Sequence, residues 1–380
     1  MNLHVTSDNY GFFPKEIAKR IKKQEPLQKN IIVNLGENSI ITDDLITYIS
    51  VSSKAMKNYI NTVEKIDKLI FHPYNFLGYK FLQIALKKFP RVKVYWVFWS
   101  FELYNLPHLS FEHYKPHAKD YIRKQRTLAE KIKNIKIIGN FVLRIFYITG
   151  IKKNSIKKLT GSFQRIDFFC SFLPSDFSFF RKISSNEKAK YLPFAYFSLE
   201  DIMPGLNNFK SNGNKIMIGH SSAPTGNHYE IIERLSELNP EFSIFLPLAY
   251  GDENYGNLIE KKARQQFKLL DIQRKKLETV AYYKKLTEVG WSIFNIKVQQ
   301  GLGNIIALIW MGVKVFLDEE SSTYKDFSHW GIIIFTIQHD LTLWQLTNKL
   351  NNKEIENNKA IILKKCNTES VNLYWDNIVA

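Results

Sequence analysis

Residues 291–311 read Trp291-Ser-Ile-Phe-Asn-Ile-Lys-Val-Gln-Gln-Gly-Leu-Gly-Asn-Ile-Ile-Ala-Leu-Ile-Trp-Met311, and this stretch decides the fold. Trp291 to Ile296 is an apolar run of strand length, and Asn304 to Met311 is an apolar run of helix length. Between them Gln299-Gln-Gly-Leu-Gly303 makes the turn. Val313 to Leu317 follows as another strand, so the segment reads as a strand, helix and strand of a parallel sheet. Gly301 and Gly303 let the main chain approach a ligand closely, and the free N–H groups and positive dipole of a helix start favour a phosphate there. Gln299 and Gln300 add amide donors. An ordinary strand-to-helix turn has the same spelling, and position alone does not decide between the two readings.

Outward from this segment the alternation continues. Lys215 to Gly219 and Phe242 to Leu248 read as strands, as does Gly331 to Thr336. Glu230 to Leu238, Asn257 to Phe267 and Thr279 to Val289 read as helices. This is the pattern of a doubly wound domain. The first half carries a weaker version, with strands at Asn30 to Leu35, Lys68 to His72 and Lys93 to Phe98 and a helix at Gly78 to Lys88. Asn207 to Asn214 has the composition of a linker. The expectation is α/β with two Rossmann-like domains, 1–204 and 205–380, divided near Pro204.

The chain's 380 residues suit two such domains, and 28 Phe with 19 Tyr can fill both cores. Met1 to Phe13 lacks the pattern of a secretory signal, and two cysteines, Cys170 and Cys366, cannot build a disulfide framework, so a reducing cytoplasm is expected. The longest apolar stretch, Ile137 to Ile151, is interrupted by Asn140 and Arg144 and falls short of a membrane span.

A formal charge of +17 calls for an anionic partner. Fourteen Lys or Arg against two acids, Asp120 and Glu130, lie between Lys115 and Arg165, which concentrates most of the excess in one basic insertion. Bulky apolar residues flanked by bases suit a helix lying in a membrane interface, and the partner expected is an anionic membrane surface. A nucleic-acid partner is not expected, because no zinc-finger, RNP-like or helix-turn-helix pattern accompanies the charge.

Two further turns bear on chemistry. Gly219-His-Ser-Ser-Ala-Pro-Thr-Gly-Asn-His228 follows the first strand of the second half, and Leu248-Ala-Tyr-Gly-Asp252 follows the next. Both would open at the carboxyl edge, where doubly wound sheets bind ligands, although Thr225 or Asn227 serves equally as a helix cap. In the first half Tyr95-Trp-Val-Phe-Trp-Ser-Phe-Glu-Leu-Tyr104 places Glu102 among aromatic side chains. A carboxylate in an apolar mouth has its pKa raised toward neutrality, which suits a general base; His72 is the other candidate.

Taken in order, these motifs resemble the bacterial TDP-N-acetylfucosamine:lipid II N-acetylfucosaminyltransferase family, the 4-alpha-L-fucosyltransferases of enterobacterial common antigen type. Phe71-His72 and Trp99-Ser-Phe-Glu-Leu-Tyr104 are similar to the family's F-H and W-G-x-D-L-Y. Gly219 to His228 is similar to G-N-S-x-x-x-x-N-x-H, Pro247 to Gly251 to P-M-G-Y, and Phe294 to Gly303 to F-x-x-x-x-Q-Q-G-x-G. The resemblance runs from about Lys68 to Thr336 and is weakest across the basic insertion. Ser100, Glu102 and His220 depart from it, standing where the family has Gly, Asp and Asn.

The resemblance implies a GT-B fold whose two domains face a central cleft, and inverting transfer of an N-acetylfucosamine-like dideoxy-acetamido-hexose from a dTDP-sugar to a polyprenyl-diphosphate-linked saccharide. No metal or cofactor is implied, and the place of work is the cytoplasmic face of the bacterial inner membrane, peripherally held. Carried onto this sequence, Ser221, Asn227, Tyr250, Gln299, Gln300, Gly301 and Gly303 would bind the donor. Trp99 and Tyr104 would meet the acceptor, with Glu102 or His72 as the base. Two alternatives stay open: a non-catalytic basic protein that binds membrane or nucleic acid, and a UDP- or GDP-sugar transferase for capsule or O-antigen.

Overall fold

The strands expected at Asn30–Leu35 and Lys68–His72 form with those bounds in the computed structural model, and the one expected from Lys93 ends at Val97. The structure describes residues 1–8, 12–36, 44–106, 109, 112–132, 153–239 and 241–380. The apolar run 137–151 lies outside them. The chain folds into two compact units, each built on a wholly parallel sheet with helices on its faces.

The first unit comprises Met1–Leu103, the described residues of 153–196 and Glu369–Ala380. Its seven strands are β1 (Asn2–Thr6), β2 (Asn30–Leu35), β3 (Ile46–Ile49), β4 (Lys68–His72), β5 (Lys93–Val97), β6 (Phe168–Ser171) and β7 (Lys190–Pro193), in the order β3-β2-β1-β4-β5-β6-β7. β1 is central, Asn2 to Thr6 pairing with Asn30 to Asn34 on one side and Lys68 to His72 on the other. Its core buries Ile17, Ile32, Ile70 and Val97 together with Val371, Trp375 and Ile378 of the last helix, Thr368–Val379. Each such apolar side chain contributes about 1.5–3 kcal/mol on full burial.

The second unit comprises the described residues of 104–132 and Phe197–Thr368. Its six strands are β8 (Lys215–Ile218), β9 (Ile244–Pro247), β10 (Leu270–Gln273), β11 (Val289–Phe294), β12 (Lys314–Leu317) and β13 (Phe335–Thr336), in the order β10-β9-β8-β11-β12-β13. The helix Leu302–Trp310 leaves β11, and Ile305 to Ile309 are buried whole.

Where sequence and structure part, the causes are local. β10 alternates apolar and polar residues over only four positions at the sheet edge. Of Gly331 to Thr336 only Phe335 and Thr336 are strand, because the Ile333 N–H is drawn to Asn358 Oδ1 at 2.7 Å. Val289 begins β11 instead of closing a helix. The units also differ from two contiguous domains meeting near Pro204. Residues 104–132 follow β5 yet pack in the second unit, where Ala118 is fully buried and the Tyr121 hydroxyl donates to Asp252 Oδ1 at 2.8 Å.

Candidate active site

A sheet of this winding has its switch point where neighbouring connections run in opposite directions, between β1 and β4 in the first unit and between β8 and β11 in the second. The sequence-derived candidates fall at the carboxyl ends of these strands and their neighbours.

In the second unit three turns are laced together. Asn227, fully buried with a left-handed φ of 45°, spends its whole side chain on the fold. Its Nδ2 donates to the main-chain oxygens of His113 (3.0 Å), Thr225 (3.1 Å) and Asn295 (2.8 Å), and its Oδ1 accepts from the Lys115 N–H at 2.8 Å. Thr225 Oγ1 donates to Gln300 Oε1 at 2.6 Å, which ties the β8 turn to the β11 turn. Ser222 Oγ donates to the Tyr250 carbonyl at 2.8 Å and brings in the turn after β9. Ser221 is buried, whereas the Tyr250 ring is 55% exposed on this edge.

Gly301 is the N-cap of the helix Leu302–Trp310, with φ 67°. A Cβ there would also fall 2.7 Å from His220 Nδ1, so only glycine fits on both counts. Gly303 has no such demand, its nearest neighbour being Ile202 at 3.8 Å. Gln299 Oε1 is buried with no hydrogen-bond partner among the described residues. The first-turn N–H groups of this helix have no carbonyl of their own helix to bond. An open helix start of this kind presents main-chain N–H donors at the carboxyl edge of the sheet.

In the first unit, Glu102 is 8% exposed on the short helix Phe101–Tyr104. Its oxygens accept from Trp96 Nε1 (3.1 Å) and from the Trp99 N–H (3.2 Å to each oxygen). Burial pushes its carboxyl up to about 8, against the pull of these donors. His72 is wholly buried at the end of β4, and burial holds it well below the ordinary histidine range. Its Nε2 meets His4 Nδ1 at 3.1 Å and its Nδ1 meets the Tyr196 hydroxyl at 2.6 Å.

The protons in this chain can be placed. Trp99 Nε1–H only donates, here to the Tyr196 oxygen at 2.6 Å, so the Tyr196 O–H points to His72 Nδ1. His72 Nε2–H then donates to His4 Nδ1, and His4 Nε2–H donates to Asn30 Oδ1 at 3.0 Å. Asn30 Nδ2 donates to the carbonyls of Gln28 (2.7 Å) and Val379 (3.1 Å), which fixes its amide orientation and closes the line. Both ring nitrogens of His72 are therefore occupied. Trp99 is the hub, its indole tied to His72 through Tyr196 and its main-chain N–H to Glu102. Phe13 packs against the Trp99 ring, the two rings tilted by 40° with centroids 3.8 Å apart.

Trp99 and Tyr104, expected to act together on an acceptor, belong to different units. Tyr104 is 6% exposed, and its hydroxyl lies 3.0 Å from Ser322 Oγ. Sequence reasoning missed His4, Tyr196 and Phe13 as companions of His72 and Trp99. The alternation of Asn2 to Thr6 was the available signal for β1, but nothing in the spacing joins it to residue 72 or residue 196.

The two wholly parallel, doubly wound sheets have the topology of the GT-B fold. Solved structures agree at the level of fold. HepE from Anabaena in complex with UDP and glucose matches with TM-score 0.60 and 9% identity, over 99% of this chain and 98% of that one. A UDP-forming alpha,alpha-trehalose-phosphate synthase from Burkholderia xenovorans, in complex with glucose-6-phosphate, matches with TM-score 0.64 and 8% identity over 99% and 98%. Sucrose-phosphate synthase from Thermosynechococcus elongatus gives 0.63 and 7% over 100% and 98%. No curated protein sequence matches the chain. The chain belongs to the 4-alpha-L-fucosyltransferase family, glycosyl transferase group 56, whose model matches residues 164–373.

Proposed function

We propose that this glycosyltransferase moves an N-acetylfucosamine-like sugar from a dTDP donor to a polyprenyl-diphosphate-linked saccharide, with inversion and without a metal. The observation that carries the donor half is the open start of the helix Leu302–Trp310, flanked by Gln299, Gln300 and His220, in a chain of this family. Gln299, Gln300, Gly301 and Gly303 hold the diphosphate, while Ser221 and Tyr250 line the rest of the donor site and Asn227 holds the loops that form it. The acceptor lies on the first unit, where Trp99 against Phe13 offers an aromatic face.

Of the two candidate bases Glu102 suits the step better. A carboxylate has lone pairs beyond those given to Trp96 and Trp99, and a carboxyl pushed up to about 8 is, once ionised, a stronger base than an ordinary one. His72 has no free nitrogen and acts as a positioning residue through Tyr196. Its part is to hold the Trp99 ring.

Location at an anionic membrane surface draws support from the helix Pro116–Ile132, which is anchored by Ala118 and Tyr121 and exposes Arg123 and Lys124. Among the described residues no helix is long and apolar enough to cross a bilayer. The alternative donors are UDP- and GDP-sugars. The neighbour HepE was solved with UDP, which keeps that reading in the test.

A thermal-shift screen against dTDP, UDP, GDP and CMP, with and without EDTA, separates the readings. Ligand at 100 times its dissociation constant stabilises by about 2.7 kcal/mol. The expected result is selective stabilisation by dTDP that survives EDTA. Preference for UDP or GDP would move the donor assignment, and a response that requires a divalent cation would end the metal-free mechanism. Silence toward every nucleotide would favour a non-catalytic binding protein.

A further inference from the structure

His220 stands one residue beyond Gly219 at the end of β8 and is 5% exposed. Its ring lies against the main chain of Gly301, where an added Cβ would come within 2.7 Å of Nδ1 and 2.9 Å of Cε1. It therefore sits at the start of the helix Leu302–Trp310, beside the N–H groups that open there. The rings of Phe294 and Tyr250 complete its surroundings, each with its centroid 6.1 Å away. The ionisable groups facing it are Tyr250 and the buried His228, whose charge would oppose its own.

Neither ring nitrogen of His220 has a hydrogen-bond partner among the described residues. The ring is 5% exposed, and with no partner among those residues its nitrogens are open to a ligand that arrives at this helix start. Gln299 Oε1, an acceptor, is buried without a partner among the described residues, in the turn that precedes this helix. In the turns that meet here Thr225, Gln299 and Gln300 are uncharged, and the cation Lys297 is paired with Glu320, which leaves His220 as the group able to gain a charge.

We propose that His220 receives the donor's diphosphate, taking up a proton from solvent as the diphosphate binds and donating that N–H to a phosphate oxygen as the group departs. This rests on the donor reading above and adds to it the source of the positive charge that offsets the leaving group. In the transfer, the acceptor oxygen forms the bond to the anomeric carbon and gives its proton to the base. The bond from that carbon to the diphosphate breaks with its electron pair on the phosphate oxygen. The imidazolium proton stays in the hydrogen bond and returns to solvent when the nucleoside diphosphate leaves. Burial holds the free ring down to about 4, so it is neutral at pH 7 until an anion arrives, and an adjoining diphosphate then favours the charged form.

The test is calorimetric binding of dTDP and of UDP to the full chain, in buffers of differing ionisation enthalpy between pH 6.5 and 8.5. Wild type is expected to take up as much as one proton per nucleotide, with affinity falling by up to about tenfold per pH unit above pH 7. His220→Asn, the residue found in the related motif, keeps an amide donor but cannot titrate. It is expected to bind with no uptake beyond the nucleotide's own ionisation and to lose about a hundredfold in kcat. His220→Gln is the second non-titrating variant should the first fold poorly. Nucleotide binding without proton uptake in wild type, or undiminished uptake in the variants, overturns the proposal and leaves the donor reading intact. Failure of both nucleotides to bind removes the two together.

Discussion

Asn227 and Asn295 hold each other's main chains: Asn227 Nδ2 donates to the Asn295 carbonyl at 2.8 Å, and Asn295 Nδ2 donates to the Asn227 carbonyl at 3.0 Å. The pair joins the turns that follow β8 and β11, the two strands that flank the switch point. Neither residue has more than 4% of its surface exposed. Cutting one side chain leaves several buried partners unsatisfied at roughly 1–3 kcal/mol each. Asn227→Ala and Asn295→Ala should each lower stability by about 3 kcal/mol or more in urea unfolding. Unchanged midpoints would mean the clamp holds nothing.

Acid should unfold the protein early. His4, His220 and His228 are held near 4, 4 and 3 by burial, and His72 is held low for the same reason. Between pH 6.5 and about 4 the unfolded chain takes up protons that the folded chain refuses, so stability is lost as pH falls through that window. Urea midpoints at pH 7 and pH 5 measure it, and His228→Asn should flatten the slope. A profile level across this range would contradict the neutral, buried assignment.

Glu102 acts in the opposite direction. Its folded carboxyl keeps a proton up to about 8, whereas the unfolded one releases it near 4.5, so its contribution to stability declines as pH rises through that interval. Glu102→Gln removes the ionisation. The stability of wild type relative to this variant should fall between pH 5 and 8.5. As the proposed base, the same substitution should lower kcat by about a hundredfold or more while dTDP binding stays intact. Retention of full activity would take the role away from Glu102.

Ser100 has φ 81°, a left-handed conformation costing a side chain about 1–2 kcal/mol, at the position where the related motif has glycine. Ser100→Gly should stabilise the protein by about 0.5–1 kcal/mol, the gain being reduced by glycine's greater freedom when unfolded. A thermal melt decides it, and a lower Tm would mean that the serine hydroxyl has a use the contacts do not reveal.

The second sheet was the more readable of the two because its strands are continuous apolar runs. The strand Lys215–Ile218 and the turn from Phe294 to Leu302 were legible for that reason. β10 was not, since Leu-Asp-Ile-Gln at a sheet edge has the pattern of a loop. The site was legible as motifs and illegible as partnerships. Asn227 was readable as a polar turn residue, but its reach to His113 and Asn295 depends on how distant segments pack. His72 reads as a candidate base in the sequence because its partners His4 and Tyr196 lie 68 and 124 positions away.

The last helix has a consequence in the order of synthesis. Val371, Trp375 and Ile378 complete the core of the first unit, and the Val379 carbonyl receives the side chains of Asn2 and Asn30. Everything else in that unit has been made by Tyr196, whereas the second unit has all of its residues by Thr368. At about 5–20 residues per second, the first sheet waits roughly 10 to 35 s for its missing piece. The part of the chain made first is thus finished last, and a ribosome that stalls late leaves an apolar gap in the unit furthest from the break.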